Sequence, residues 1–453
     1  MAKVGNEPIY DAKTLGTGKM LILGLQHMFA MFGATVLVPI ITGLDISTTL
    51  LMAGLGTLLF HLITNRSVPA FLGSSFAFLG GYATVKTMAE NAGAESFIPY
   101  AGVGVVVAGL LYLVLALFFK LFNTKTVMKY FPPVVTGPII IAIGLILAPS
   151  AVTNCAVNPV LALVAFALIV ICNIWGKGMV KIVPILIGIF GSCAVAVIME
   201  LCGSQVFDPA KLQNLKDAAW IGFPIIWKHT VFAVTDSTLA INSVIAVAPI
   251  ALASMMEHIG DISAISSTVG VNYIAKPGLH RTLMGDGLAT SFSALFGGPA
   301  NTTYGENTGV LALTKVYDPK VIRLAAVFAI VLSFCPKFAA FINLIPTGII
   351  GGISLILYGM ISAIGVRNLV ENAVDLSKSR NVIIAATILV SALGFNSIGG
   401  ITFTVGGAPI TITALAIAAI LGIALNAILP GKDYVFTDEN DENKINYKMD
   451  KEL

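Results

Sequence analysis

The chain has 453 residues, 57% of them hydrophobic and only 11% charged, with a mean hydropathy of +0.92. Soluble globular domains carry roughly 25% charged residues, so a soluble protein with an outsized core is excluded and a polytopic membrane protein is predicted. A net charge of +3 gives no reason to expect a nucleic-acid partner, and the five cysteines (Cys155, Cys172, Cys193, Cys202, Cys335) show neither CxxC nor metal-ligand spacing.

About 20 apolar residues suffice to span a bilayer as a helix. The first 18 residues are polar, and the long apolar run after them lacks a small-residue cleavage site. It reads as a spanning helix and not as a signal peptide. Apolar segments follow the pattern 19–41, 48–64, 68–85, 98–119, 133–150, 158–175 and 179–202. A polar stretch, 203–238, carries Trp220 and Trp227 and is predicted to be an extracellular connection lying partly in the interface. Seven more segments lie at 240–260, 283–297, 302–314, 321–342, 344–364, 381–398 and 408–429, before a charged tail at 431–453. The cysteines fall in or beside these segments and read as small apolar fillers.

Fourteen spans put both termini on one side. If that side is cytoplasmic, 21 of the 26 Lys and Arg lie inside, leaving only Lys86, Lys211, Lys216, Lys228 and Lys337 outside. Cytoplasmic loops of membrane proteins carry this excess. The expected location is the cytoplasmic membrane, with both termini cytoplasmic.

Seven plus seven invites a search for a repeat. Gln26-His27 answers Glu257-His258, Pro69-Ala70 answers Pro299-Ala300, and TGPIIIAIGLIL at 136–147 answers TGIIGGISLIL at 347–357. An odd number of spans per half inverts one half relative to the other. Inverted repeats with short, Gly/Pro-broken spans at matching positions mark secondary transporters, with the solute site near the midplane. The broken pair is VPAFLGSSFAFLGG at 68–81 and GGPANTTYGENTGV at 297–310; aligned on Pro-Ala, Phe76 falls opposite Glu306.

Ionisable residues within spans are costly enough to need a reason. Glu306 sits between Gly305 and Gly309, on backbone that glycine makes easy to break. Unwound backbone in a bilayer survives only when buried in protein or lining a cavity. Free amides at 302–305 and 72–76, beside Ser75, would then face a carboxylate. That clamp suits a flat neutral solute with alternating N–H and C=O groups, such as a pyrimidine or purine base, with Tyr304 and Phe76 as walls. The competing reading makes Gly305 and Gly309 seats for tight helix packing. Glu257 and Asp261, four apart, share one helix face in the run EHIGD, which also holds His258. Glu257 otherwise reads as a helix-end carboxylate, and Asp261 as a local cap or pair. His27 reads as a packed histidine donating to a neighbouring carbonyl, and Asp286 as interfacial.

ENTGVLALTK at 306–315 resembles the signature of the nucleobase–ascorbate transporter family, Gln/Glu-Asn-x-Gly-x4-Thr-Arg/Lys/Gly. The likeness continues in GLQHMFAMFGATVLVP at 24–39, PAFLGSSFAF at 69–78, EHIGD at 257–261 and GDGLATSFSALFGGPANTTYGEN at 285–307, and a glutamate at 306 is similar to its bacterial uracil-permease branch. The resemblance implies an all-α polytopic fold of two inverted seven-helix repeats, with short strands in spans 3 and 10. It implies a core domain from 1–130 and 239–343, and a gate domain from 131–238 and 344–430, ahead of the tail at 431–453. It implies that Glu257 and Glu306 hold uracil, that amides of Phe76 and Gly305 complete the clamp, and that Ala34 and Tyr304 line it. Asp261 departs from the uracil branch, where a histidine implicated in proton coupling stands; Asp261, Glu257 and His258 are the coupling candidates. The expected activity is proton-coupled uracil symport by alternating access, with protons as coupling ion, no cofactor or metal, and no catalysis. The alternatives are a purine such as xanthine, an anion carried by the same inverted fold, and a channel or membrane-bound enzyme. Neither broken segment contains the Lys or Arg that an anion site would favour. The small-residue runs GPIIIAIG and GIIGG are suited to homodimer contacts.

Overall fold

Proline and aspartate decide where many of the helices begin. Pro133, Pro159, Pro184, Pro209, Pro319 and Pro336 each open a helix, where the missing N–H costs nothing. Asp45, Asn158, Asp208, Asp236 and Asp318 cap helix starts through their side chains. The computed structural model describes residues 5, 7–122, 124–405 and 408–432; the side chains at 124, 125, 179, 182, 306, 404, 405 and 408–410 and the predicted tail from 433 onward lie outside the described residues.

The first half runs α1 (Thr17–Thr42), α2 (Ile46–Ile63), β1 (Leu72–Ser74), α3 (Leu79–Asn91), α4 (Ile98–Leu121), α5 (Thr124–Met128), α6 (Pro133–Val157), α7 (Pro159–Ile174), α8 (Met179–Ile182) and α9 (Pro184–Leu201). The second runs α10 (Pro209–Asp217), α11 (Ser237–Val247), α12 (Ala251–Val269), α13 (Leu279–Leu295), β2 (Asn301–Thr303), α14 (Gly305–Thr314), α15 (Pro319–Ser333), α16 (Pro336–Asn343), α17 (Thr347–Glu371), α18 (Ser379–Ser397), β3 (Ile401–Val405), β4 (Ala408–Ile412) and α19 (Ala414–Ile428). Each of the fourteen predicted segments overlaps at least one helix. Among the described residues eight spans are long and apolar enough to cross a membrane unaided, and the protein is a multi-pass membrane protein.

Three boundaries differ from expectation. The segment predicted to end near 260 is α11, a single 3-10 turn at Ala248–Ile250 and α12, a 33-residue span that continues to Val269. Its polar EHIGD run therefore lies inside the helix, facing protein. The segment predicted at 321–342 is α15 followed by α16, bent by 88° where Pro336 restarts the chain. The last predicted segment opens with a hairpin, β3 paired with β4, because its β-branched run suits a strand.

Spans 3 and 10 are broken as predicted. Strands β1 and β2 pair antiparallel, with Leu72 opposite Thr303, Gly73 opposite Thr302 and Ser74 opposite Asn301. A two-stranded ribbon inside a bilayer leaves two outer edges whose amides and carbonyls have no water to turn to. Each edge is closed by a threonine from the preceding helix. Thr57 of α2 accepts from the Leu72 N–H at 2.9 Å and donates to the Leu72 carbonyl at 3.2 Å. Thr290 of α13 accepts from the Asn301 N–H at 3.2 Å and donates to the Asn301 carbonyl at 2.9 Å. The two halves thus use the same device, a threonine of the preceding helix on an outer strand edge.

Packing follows the repeat as well. The matching helices α6 and α17, which carry TGPIIIAIGLIL and TGIIGGISLIL, lie against each other. Helices α1, α2 and α4 pack chiefly on α11, α13 and α15, whereas α6 and α7 pack on α9, α17 and α18. The ribbon β1–β2 sits beside α1, α2, α12 and α13.

Candidate functional site

The ribbon delivers two helix starts to the same region. After β1 the chain passes Ser75 into a 3-10 turn, Phe76–Phe78, and then α3; after β2 it passes Tyr304 into α14. At neither start does a side chain cap the exposed amides. The first amides of a helix have no partner within it, so both starts present donors. Ser75 is fully buried and its hydroxyl has no hydrogen-bond partner among the described residues.

The walls are aromatic. Tyr304 is 3% exposed and donates from its hydroxyl to the Ser74 carbonyl at 3.0 Å, while Thr35 donates to that hydroxyl at 3.4 Å. The Tyr304 ring lies on the bare backbone of Gly73, where an added Cβ would come within 2.5 Å of it. Phe76 meets the ring of Tyr358 from α17 edge-on, with centroids 6.0 Å apart, and Ala34 is fully buried in α1. A cleft beside Phe76, lined by Gly80, Ile143, Leu147, Asn396 and Thr413, separates α3 from α6 and α19. It reaches none of the acids.

The acids come from α12 and α13. Asp261, one turn after Glu257, accepts from the Thr303 hydroxyl at 2.9 Å, and its other oxygen lies 3.8 Å from where a Cβ on Gly305 would stand. This places Asp261 at the start of α14. His258 Nδ1 lies 2.7 Å from Asp286 Oδ2, with both side chains fully buried, and 3.5 Å from the Thr303 hydroxyl. Asp286, His258, Thr303 and Asp261 thus form one buried chain of polar contacts. Phe60 closes it from α2, with its ring 6.4 Å from that of His258.

Several sequence expectations change here. Asp286 is not interfacial: α13 carries it into the bundle, where it lies against His258. Glu257 is not at a helix end, since α12 runs on to Val269. Among the described residues His27 makes no donor bond to a carbonyl; instead Asn307 donates to the His27 carbonyl and to its Nδ1, each at 3.3 Å. Tight packing does not account for the glycines of the motif, because a Cβ at Gly305 meets only ordinary contacts and one at Gly309 meets nothing within 4 Å. Glu306 takes the second position of α14, and its side chain lies outside the described residues. Thr303, Asn307, Asp286 and Tyr358 were not singled out for the site; the first two lie inside the motif string, but nothing in its spacing marked them.

A family model described as a permease family matches residues 18–398. The chain belongs to this permease family. It is 41% identical over 449 residues to the uracil permease of Bacillus caldolyticus, covering 97% of this permease and 99% of that one. The uracil permease of Bacillus subtilis is 38% identical over 436 residues, covering 93% and 95%. A putative pyrimidine permease of Escherichia coli is 38% identical over 419 residues, covering 91% and 89%. Among solved structures, the transmembrane domain of the cyanobacterial bicarbonate transporter BicA superposes with a TM-score of 0.65 at 16% identity, over 86% of this chain and 98% of that one. SLC26A9 superposes at 0.64 and 11% identity, over 92% and 66%. At such identities the likeness is one of fold, and it extends to the inverted repeat.

Proposed function

We propose that this permease takes up uracil across the cytoplasmic membrane by proton symport, with its termini on the cytoplasmic side. The observation that carries the reading is the seat of Asp261 against Thr303 and Gly305, which brings the acid-bearing face of α12 to the uncapped start of α14. Uracil offers ring N–H donors and carbonyl acceptors on one edge. Glu257 and Glu306 accept from the N–H groups, the amides of Phe76 and Gly305 donate to the carbonyls, and Phe76, Tyr304 and Ala34 pack on the ring faces. The relatives named uracil permease, similar along nearly the whole chain, support uracil over a purine.

The chain Asp286–His258–Thr303–Asp261 is the proposed seat of the coupling proton. A proton arriving there and a base arriving beside it favour each other reciprocally. Spans 1–4 and 8–11 form the core that holds the base, and spans 5–7 and 12–14 form the gate against which it moves. The fold likeness to a bicarbonate transporter would by itself favour an anion. Glu257, Asp261 and Asp286 at the site oppose one.

Competition of labelled uracil uptake by a panel of bases, with and without a protonophore, tests the reading. Uracil should compete best and the protonophore should abolish accumulation. Preference for xanthine, or accumulation indifferent to the protonophore, would overturn the corresponding half. Glu306→Gln removes a charged acceptor, a loss of about 1.5–3 kcal/mol, so uracil binding in detergent should weaken at least tenfold. Normal binding by that variant would sink the clamp.

A further inference from the structure

We propose that the segment before α1, Gly5 with residues 7–16, is a positioning element for the base site: it fixes the far end of α14 and thereby sets how firmly its first turn holds a flat base. This rests on the base-binding reading above.

Helix α14 has ten residues and is therefore about 15 Å long, too short to be stable on its own. Its start faces the site; its end is the vulnerable part, because the last carbonyls of any helix lack partners. The segment supplies them. The Gly5 N–H donates to the Thr314 carbonyl at 2.9 Å and the Ile9 N–H to the Lys315 carbonyl at 2.8 Å, while Tyr317 donates back to the Ile9 carbonyl at 2.8 Å. Lys315 itself sits in the left-handed region at φ 53°, so the chain turns sharply there and depends on these bonds to hold the turn.

The segment then reaches the other acid-bearing helix. The Tyr10 hydroxyl donates to the carbonyl of Val269, the last residue of α12, at 2.9 Å, and its ring lies 5.5 Å from that of Tyr317. Midway along α12, Asp261 meets Thr303 just ahead of α14; Tyr10 and Ile9 join the far ends of the two helices, closing a frame. Polar and apolar contacts anchor the strap on α15 and α1. The Ala12 N–H donates to Asp318 at 2.9 Å. Lys320 Nζ stands 3.2 Å from both Asp11 and Asp318. Ile9, Ala12 and Leu15 bury against Leu23, Val316 and Val321, apart from the main core. None of these residues belongs to the proposed base clamp, so altering them tests position without removing a contact to the base.

The test pairs Ile9→Pro, which deletes the donor to Lys315, with the milder Tyr10→Phe, which deletes only the bond to Val269. Uracil affinity is measured by calorimetry and backbone hydrogen exchange is followed over 305–317, with and without uracil. In Ile9→Pro those amides should exchange faster, exchange in α6 and α17 should stay as in the wild type, and uracil should bind about tenfold more weakly, ~1.4 kcal/mol. Saturating uracil should restore slow exchange at 305–317, a linkage that a purely structural tie would not show. Tyr10→Phe should show the same effects, smaller, and serves if Ile9→Pro fails to fold. Faster exchange with unchanged uracil affinity would overturn the proposal. If the wild type binds no uracil, the base reading falls separately, and unchanged exchange at 305–317 in Ile9→Pro would still overturn the tie between strap and helix.

Discussion

A methyl group added at Gly73 would stand 2.5 Å from the Tyr304 ring and 2.7 Å from Thr35 Oγ1. Neither neighbour can retreat freely, because the Tyr304 hydroxyl is tied to the Ser74 carbonyl and to Thr35. Gly73→Ala should therefore displace the ring and weaken uracil binding more than tenfold, with overpacking costing about 1–3 kcal/mol in stability. Gly309→Ala, where the new methyl meets open space, should leave binding within about twofold of the wild type, a difference of ~0.4 kcal/mol. Titrating both variants by calorimetry checks the contrast, and equal losses would refute it. Asp261 calls for the opposite pattern. Asp261→Asn keeps an acceptor for Thr303 but cannot exchange a proton, so binding should persist while pH-dependent accumulation in vesicles falls. The proposed clamp residues stood out in the sequence because broken glycine-rich strings and acids are conspicuous in an apolar chain. Asp286 was not: GDGLAT reads as a segment opening, and only the packing of α13 against α12 shows that the carboxylate faces His258. Tyr358 lies in an uninterrupted apolar run, and no spacing links it to Phe76, which is 282 positions earlier.

At the scale of elements, the ribbon is the feature that needs most support, since two strands alone are marginal. Thr57→Ala or Thr290→Ala would leave a buried N–H and C=O without their shared partner, at about 1–3 kcal/mol per orphaned group. Either variant should lower the thermal midpoint in detergent and weaken uracil binding, whereas Thr→Ser at the same positions should preserve both. The broken spans were readable from glycine and proline. The threonines were not, because a hydroxyl in a helix usually bonds back to its own helix. Thr57 does this too, its single proton shared between the Ala53 carbonyl at 2.8 Å and that of Leu72 at 3.2 Å. The strap before α1 carries its own pH signature. The Lys13 N–H, and next the Lys320 ammonium, hold the Asp11 carboxyl below its ordinary value of 3.8. A depressed carboxylate contributes stability above its unfolded value and loses it as pH falls through the folded one. The difference in thermal midpoint between wild type and Asp11→Asn should thus be flat from about pH 5 to 8 and shrink only below about pH 4. A slope near neutrality would assign the strap a titrating partner other than Asp11.

Across the whole molecule, the proposed core and gate make a mechanical prediction. Ser362 of α17 donates to the Ile141 carbonyl of α6 at 3.0 Å, within the gate. Ile140 of α6 approaches Gly260 of α12, where a Cβ would lie 3.4 Å from its Cδ1, across the divide. In a background without the native cysteines, cross-linking Ile141→Cys to Ser362→Cys should leave uptake intact. Cross-linking Ile140→Cys to Gly260→Cys should stop uptake until the bond is reduced. Uptake through the second cross-link would rule out motion between these two bodies. The multi-pass helical architecture and the inverted repeat were legible in hydropathy and three colinear string matches, whereas eight of the fourteen predicted segments contain a helix long and apolar enough to cross unaided among the described residues. Which helices pack across the repeat was not, because lipid-facing and protein-facing apolar residues look alike in a sequence.

The two threonines carry a genetic consequence. Thr57 and Thr290 lie in different halves of one chain, yet they serve opposite edges of a single shared ribbon. Neither half can shed its hydroxyl on the strength of the other keeping one, since each edge opens independently. A substitution at either codon is therefore not masked by the other half, although the chain holds the device twice.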